Sequence, residues 1–167
     1  MKQSIYFCSP SVTGFTGVPA IAGPLFIKEH QEAIKLLTPR RPHVVIIGGG
    51  KIEEKFMVFE SALTTGRAEK VLLGGRLGNL ALIAAQLLTQ KDLLKDKKAV
   101  RRIAEETVGK ATADDLDKDK DLDRLPRLVS LLGQYGDNVT LPVDVAYVDG
   151  AERRVVRLVD GRCVSLC

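Results

Sequence analysis

The stretch VVIIGGGKIEEK, residues 44–55, places two lysines, Lys51 and Lys55, directly behind three glycines and a β-branched run. Amines four residues apart on a helix stand one turn apart on the same side. Glycines after a strand let the chain turn sharply and let a ligand approach main-chain N–H groups. A lysine in the first helical turn opposes the helix dipole by roughly 0.3–1 kcal/mol. An anion at that helix end would remove the penalty, and two ammonium groups beside free N–H donors suit a polyphosphate. The same residues fit a plainer arrangement, in which Glu53 and Glu54 neutralise the helix start and both lysines are merely solvated. A second pair, Gly74-Gly75, closes another apolar run; it could border a flat base or only turn the chain into its next helix. Neither G-x-x-x-x-G-K-[ST] nor G-x-G-x-x-G fits this region.

Other candidates are weaker. DDLDKDKDLD (114–123) resembles a calcium loop in composition, but a loop counted from Asp117 has Leu122 and Leu128 where glycine and glutamate are required. It reads instead as a solvated acidic-basic loop. His30 and His43 stand far apart in sequence and read as structural or exposed. Arg40-Arg41 and Arg101-Arg102 are short basic pairs that could touch phosphates. No interleaving of aromatic and basic residues points to stacked nucleic-acid bases. Cys8, Cys163 and Cys167 form no C-x-x-C and read as free thiols of a reducing compartment, with no metal site.

The elements that must position the glycines and lysines follow from periodicity. With 167 residues the chain is read as a single domain, 45% hydrophobic and 28% charged. Its net charge of +4 suits anionic small molecules and nucleic acid alike. The apolar run Val12–Ile27 is broken by Gly14, Gly17, Pro19, Gly23 and Pro24, so it reads as no membrane span, and no leader is visible. A cytoplasmic location is expected.

Residues 1–23 read as irregular chain, and Pro24 opens a helix that TPRRP ends. HVVIIGG reads as a buried strand, and Ile52, Phe56, Phe59 and Leu63 as one apolar stripe of the following helix. EKVLLGG is a second strand, and NLALIAAQLLTQ a helix apolar nearly all round. Residues 91–123 read as a partly helical, charged excursion ending in a solvated loop. A helix follows with Leu128, Leu131, Leu132 and Tyr135 inward, then a third strand in NVTLPVDVAYV. Two alternating runs about Asp160-Gly161 predict a C-terminal β-hairpin. This alternation predicts an α/β fold of three layers: the parallel sheet of a half doubly wound, Rossmann-like lobe over 24–150, with the hairpin over 151–167.

Taken in order, PSVTGF (10–15), VPAIAGPLFIKE (18–29), GGGK-IEEK (48–55), LLGGRLGN (72–79) and YGDNVTLPVDVA (135–146) resemble phosphoglycerate kinase, its archaeal branch in particular. The resemblance covers most of residues 9–150. It implies that the helix from Pro24 joins two lobes, that Lys51 meets the transferring phosphoryl group, and that Lys55 holds nucleotide phosphates. Gly48, Gly49, Gly74 and Gly75 would border the nucleotide. The implied reaction is phosphoryl transfer between 1,3-bisphosphoglycerate and ADP, a glycolytic step, with ATP/ADP and Mg2+ as cofactors and the magnesium brought by the nucleotide. Such a transfer rests on positioning and charge stabilisation.

The departures bear on activity. The chain is well under half a typical family member, and nothing in it matches the family's substrate lobe. Tyr6-Phe7 stand where the family has His-Arg. The later Asn-Gly-Pro and Gly-Gly-Gly-Asp segments do not appear, and by family analogy the second half of the sheet is absent. Two functions follow as expectations: a kinase homologue supplying part of a nucleotide site, inactive as an isolated chain, or a catalytically inactive structural or interaction subunit of a larger assembly. In either case an exposed sheet edge invites a second protein chain or a homo-oligomer. Adenine nucleotide is the expected ligand; no nucleic-acid or membrane partner is expected.

Overall fold

The computed structural model describes residues 22–149, 152–159 and 162–164. The irregular segment expected over 1–23 therefore lies almost wholly outside the described residues, as do Cys8, Cys167, the Tyr6-Phe7 position, PSVTGF and the Asp160-Gly161 turn. The chain divides into two compact units, Met1–Arg41 and Pro42–Cys167.

The first unit contains helix α1 (Pro24–Lys35), which starts where proline's fixed φ is already helical. The Gly23 carbonyl accepts the first helical bond from Ile27 N–H at 3.0 Å. Of its apolar side chains, Leu25, Ile27 and Ile34 are exposed and Phe26 is half-buried. Phe26 stacks on His30 at 5.9 Å between ring centres, a role for that histidine on the helix surface.

In the second unit, β1 (Val44–Ile47) leads into α2 (Ile52–Thr64), β2 (Lys70–Leu73) and α3 (Gly75–Leu87). The charged region follows as a 3-10 turn (Lys91–Lys95), α4 (Lys97–Val108), α5 (Lys110–Lys118) and a second 3-10 turn (Asp121–Arg124). Then come α6 (Leu125–Tyr135) and β3 (Val139–Thr140). The strands pair in parallel in the order β1-β2-β3, with Val45 opposite Val71, Ile47 opposite Leu73 and Val71 opposite Val139. This is the open parallel sheet of the α/β lobe that the strand–helix alternation predicts.

The period of two along the strands decides which side is covered. Ile47, Val71 and Leu73 are buried, while Val44 and Ile46, on the alternate face of β1, are 48% and 78% exposed. Against the covered face lie the expected α2 stripe, Ile52, Phe56, Phe59 and Leu63, together with Leu77, Leu80 and Ile83 of α3 and Leu125, Leu128 and Leu131 of α6. Phe59, fully buried, contributes several kcal/mol: truncation of such a residue to alanine typically costs about 3–5 kcal/mol. Gly78 lets α3 pass close to β2, because a Cβ there would meet the Leu73 carbonyl carbon and oxygen and the Pro142 ring at 3.3 Å.

Four expectations are corrected. HVVIIGG is not a strand buried throughout: only Ile47 of β1 is fully buried, because the core residues lie against one face and Val44 and Ile46 point to the other. The stretch expected to end as a solvated loop is helical through Lys118, with Ala113 and Leu116 fully buried. Across from it, Arg101 of α4 binds Asp117 at 2.6 Å and also pairs with Asp114, as well as Glu105 of its own helix at 2.9 Å. Its guanidinium is held above its ordinary pKa by the Glu105 hydrogen bond, aided by Asp114 and Asp117. Arg101 is thus committed to carboxylates of the described chain rather than open to phosphate. The expected third strand is also not continuous. It breaks at Pro142, which has no N–H for a ladder, into β3 and β4 (Asp144–Asp149). Lastly, β5 (Glu152–Val159) and β6 (Arg162–Val164) pair antiparallel as a hairpin should, but β4 joins β5 as well, giving a separate three-stranded sheet.

Candidate functional site

The carboxyl ends of β1 and β2 bring the two glycine segments together. The Ile47 carbonyl accepts from Gly74 N–H at 2.8 Å, and the Gly49 carbonyl accepts from Arg76 N–H at 3.2 Å. The ladder is thereby stitched past the last strand residues. A Cβ on Gly75 would lie 2.7 Å from Gly49 N and 3.0 Å from Gly49 O, so the two backbones touch where only hydrogen fits. Gly49 and Gly75 also hold φ of +112° and +57°, conformations that favour glycine. Gly48 and Gly74 are in ordinary contact, with 3.8 Å from an added Gly48 Cβ to the Gly74 carbonyl carbon. Beyond Gly50 there is open space within 4 Å.

Lys51 is not in the first helical turn, as its spacing from Lys55 suggested. It is the N-cap, extended at φ −90°, ψ 118°, and α2 begins at the buried Ile52. No side chain caps α2. Its first N–H groups thus have no side-chain acceptor, and the dipole's positive end faces outward. Lys55 lies one turn in, half-buried, and its Cε comes within 3.7 Å of where a Gly49 Cβ would stand. The stem of Lys55 therefore lies over the glycine turn. Among the described residues neither Lys51 nor Lys55 has an ion-pair partner. Glu53 and Glu54, in the first turn, are exposed and form no ion pair with either lysine.

Uncapped N–H groups, unpaired ammonium groups and an open glycine turn form a donor set suited to phosphate oxygens. That set fits the phosphates of a nucleotide. No group of three or more His, Cys, Asp or Glu able to hold a metal ion occurs among the described residues.

The sequence reading did not single out Arg76. Its side chain reaches across to the charged region, donating to Asp121 Oδ2 at 2.8 Å and to the Asp115 carbonyl, and pairing with Asp119 at 2.7 Å. Asp121 is buried, so this arginine ties the second glycine turn to the segment after α5 through a largely desolvated contact. The signal available was a lone arginine directly after Gly74-Gly75, with acids more than forty residues away; nothing local pairs them.

The fold and this donor set define an α/β lobe of the half doubly wound class, with glycine turns at the carboxyl ends of neighbouring parallel strands. The sequence profile of phosphoglycerate kinase matches residues 6–162, and the chain belongs to the phosphoglycerate kinase family. It is 33% identical over 145 residues to phosphoglycerate kinase of Methanosarcina mazei, covering 86% of this chain and 30% of that protein. It is 30% identical over 150 residues to phosphoglycerate kinase 2 of Methanosarcina acetivorans, covering 89% of this chain and 32% of that protein. The crystal structure of phosphoglycerate kinase from Pyrococcus horikoshii has the same fold over 89% of this chain and 33% of its own, with a TM-score of 0.72 at 24% identity. The chain thus spans about a third of the length of these relatives. No helix among the described residues is long and apolar enough to cross a membrane.

Proposed function

We propose that this chain binds the phosphates of an adenine nucleotide at the amino end of α2. The observation that carries the reading is the conjunction there of an uncapped helix start, two lysines without an ion-pair partner among the described residues, and a glycine turn crossed by the Lys55 stem. In this reading Gly48, Gly49, Gly74 and Gly75 border the nucleotide. Lys55 neutralises its phosphates, and Lys51, at the very edge of the helix, meets the terminal phosphoryl group. Any Mg2+ would be brought by the nucleotide and would supply charge screening at its phosphate oxygens. The whole reaction, phosphoryl transfer between 1,3-bisphosphoglycerate and ADP, also requires groups that hold the phosphoglycerate, a role this reading gives to none of the residues named above. Calorimetric titration with MgADP tests the binding step, and a coupled phosphoglycerate kinase assay tests turnover. Saturable binding with negligible turnover is the expected pair of results; no heat at millimolar MgADP would overturn the reading.

A second reading has its own support. Val44 and Ile46 present an apolar strip on the open face of β1, and among the described residues β1 has a strand neighbour on one side only. A free edge of β-branched residues is a template for pairing. On this reading the chain docks as a subunit, with or without turnover. Light scattering after gel filtration tests it: a monomer at all concentrations, with no partner recovered on β1, would count against it.

A further inference from the structure

A cleft away from the glycine turns lies between α4 and α6. It has a volume of about 550 Å³, within the range of roughly 300–1,000 Å³ common for small-molecule sites. Its floor is apolar: Leu94, Val100, Leu122, Leu125 and Pro126. Val100 and Leu125 are buried beneath it, at 8% and 1% exposure.

The charges around this floor are not balanced once their commitments are traced. Of the lining acids, Glu105 and Asp117 are both engaged by Arg101. Among the described residues, Asp123 is the lining acid without an ion pair. Of the lining cations, Lys97 and Lys98 have no ion-pair partner among the described residues, and Arg102 has there only a loose contact with Glu106 at 3.9 Å. The α4 amino end is closed to an anion, because the Asp96 carboxylate already caps the N–H groups of Lys98 and Ala99. The attraction comes from the three side chains themselves, standing over an apolar floor.

We propose that this cleft is a second binding site, for an amphipathic anion whose apolar body lies on Leu94, Leu122 and Leu125 and whose carboxylate or phosphate head is met by Lys97, Lys98 and Arg102. The proposal is independent of the nucleotide reading, since no residue is shared.

Calorimetric titration of the full chain with decanoate tests it, with decyl phosphate as the alternative head and decanol as the neutral control. One anion should bind per chain, at least tenfold more tightly than decanol, and the tighter of the two anions identifies the head. Saturating MgATP should not displace it. The double variant Lys97→Glu/Lys98→Glu changes only exposed side chains and should keep its helical circular dichroism while losing at least tenfold in affinity. Ile46→Ser, on the open sheet face, should leave binding unchanged. Binding of neither anion, binding as tight for decanol, loss with Ile46→Ser, displacement by MgATP, or indifference to the double charge reversal would each overturn the proposal.

Discussion

Alanine at Gly75 should be far more damaging than alanine at Gly66, although both glycines occupy the left-handed region, at φ +57° and +62°. Left-handed backbone costs a residue with a side chain roughly 1–2 kcal/mol, and this term is common to both. The surroundings differ. A Cβ at Gly66 meets nothing within 4 Å, whereas one at Gly75 would stand 2.7 Å from Gly49 N and 3.0 Å from Gly49 O. These are backbone atoms held by the Arg76 N–H to Gly49 carbonyl bond, so they cannot swing aside as a side-chain tip would. Overpacking against fixed atoms adds about 1–3 kcal/mol. Gly66→Ala should therefore cost about 1–2 kcal/mol, and Gly75→Ala about 2–5 kcal/mol. Urea unfolding followed by far-ultraviolet circular dichroism measures both. At a midpoint loss of roughly 2–4 °C per kcal/mol for a chain of this size, the difference is also visible in thermal melts. Equal costs for the two substitutions would refute the claim that the two glycine turns pack backbone against backbone.

The other predictions concern the frame around that turn. Asp121→Ala leaves the Arg76 guanidinium largely desolvated and should cost about 1.5–3 kcal/mol, with Asp119 limiting the loss; urea unfolding checks it. Asp96→Ala removes the α4 cap and should cost about 1 kcal/mol in the same assay. Ile47→Ala, at a buried position, should cost about 2–5 kcal/mol, while Ile46→Ser next to it should change stability by no more than about 0.5 kcal/mol; similar costs would mean that the face assignment of β1 is wrong. Lys55→Ala should weaken MgADP binding by roughly tenfold or more, the loss of a charged hydrogen bond of about 1.5–3 kcal/mol, and leave the unfolding midpoint nearly unchanged.

The parts of the fold that were legible in the sequence are those whose period is long and apolar. The Ile52, Phe56, Phe59 and Leu63 stripe and the all-round apolar helix α3 announce burial by spacing, and both are buried; the apolar runs ending in glycine announce strands, but β1 fully buries only Ile47 and leaves Val44 and Ile46 exposed. The charged region was not legible, because its order comes from partners distant in sequence. Ala113 and Leu116 give too short a stripe to signal a helix, and Arg101 fixes Asp114 and Asp117 from another helix. The same holds at the candidate site. The glycines and lysines stood out locally, but the place of Lys51 at the N-cap rather than inside α2 lies in the extended backbone it adopts after the glycine turn, which spacing alone does not show. Arg76 matters only through Asp119 and Asp121, which the topology brings to it. Pro142 was visible, yet its effect on β3 was hidden by the apolar residues on either side.

The most direct measurement is amide chemical-shift mapping of the labelled chain on addition of MgADP. Nucleotide binding at the amino end of α2 predicts saturable shifts concentrated at Gly48 to Lys55 and at Gly74 to Arg76, with Lys97 to Arg102 unmoved. Shifts that centre on any other surface, or none at millimolar nucleotide, would contradict it.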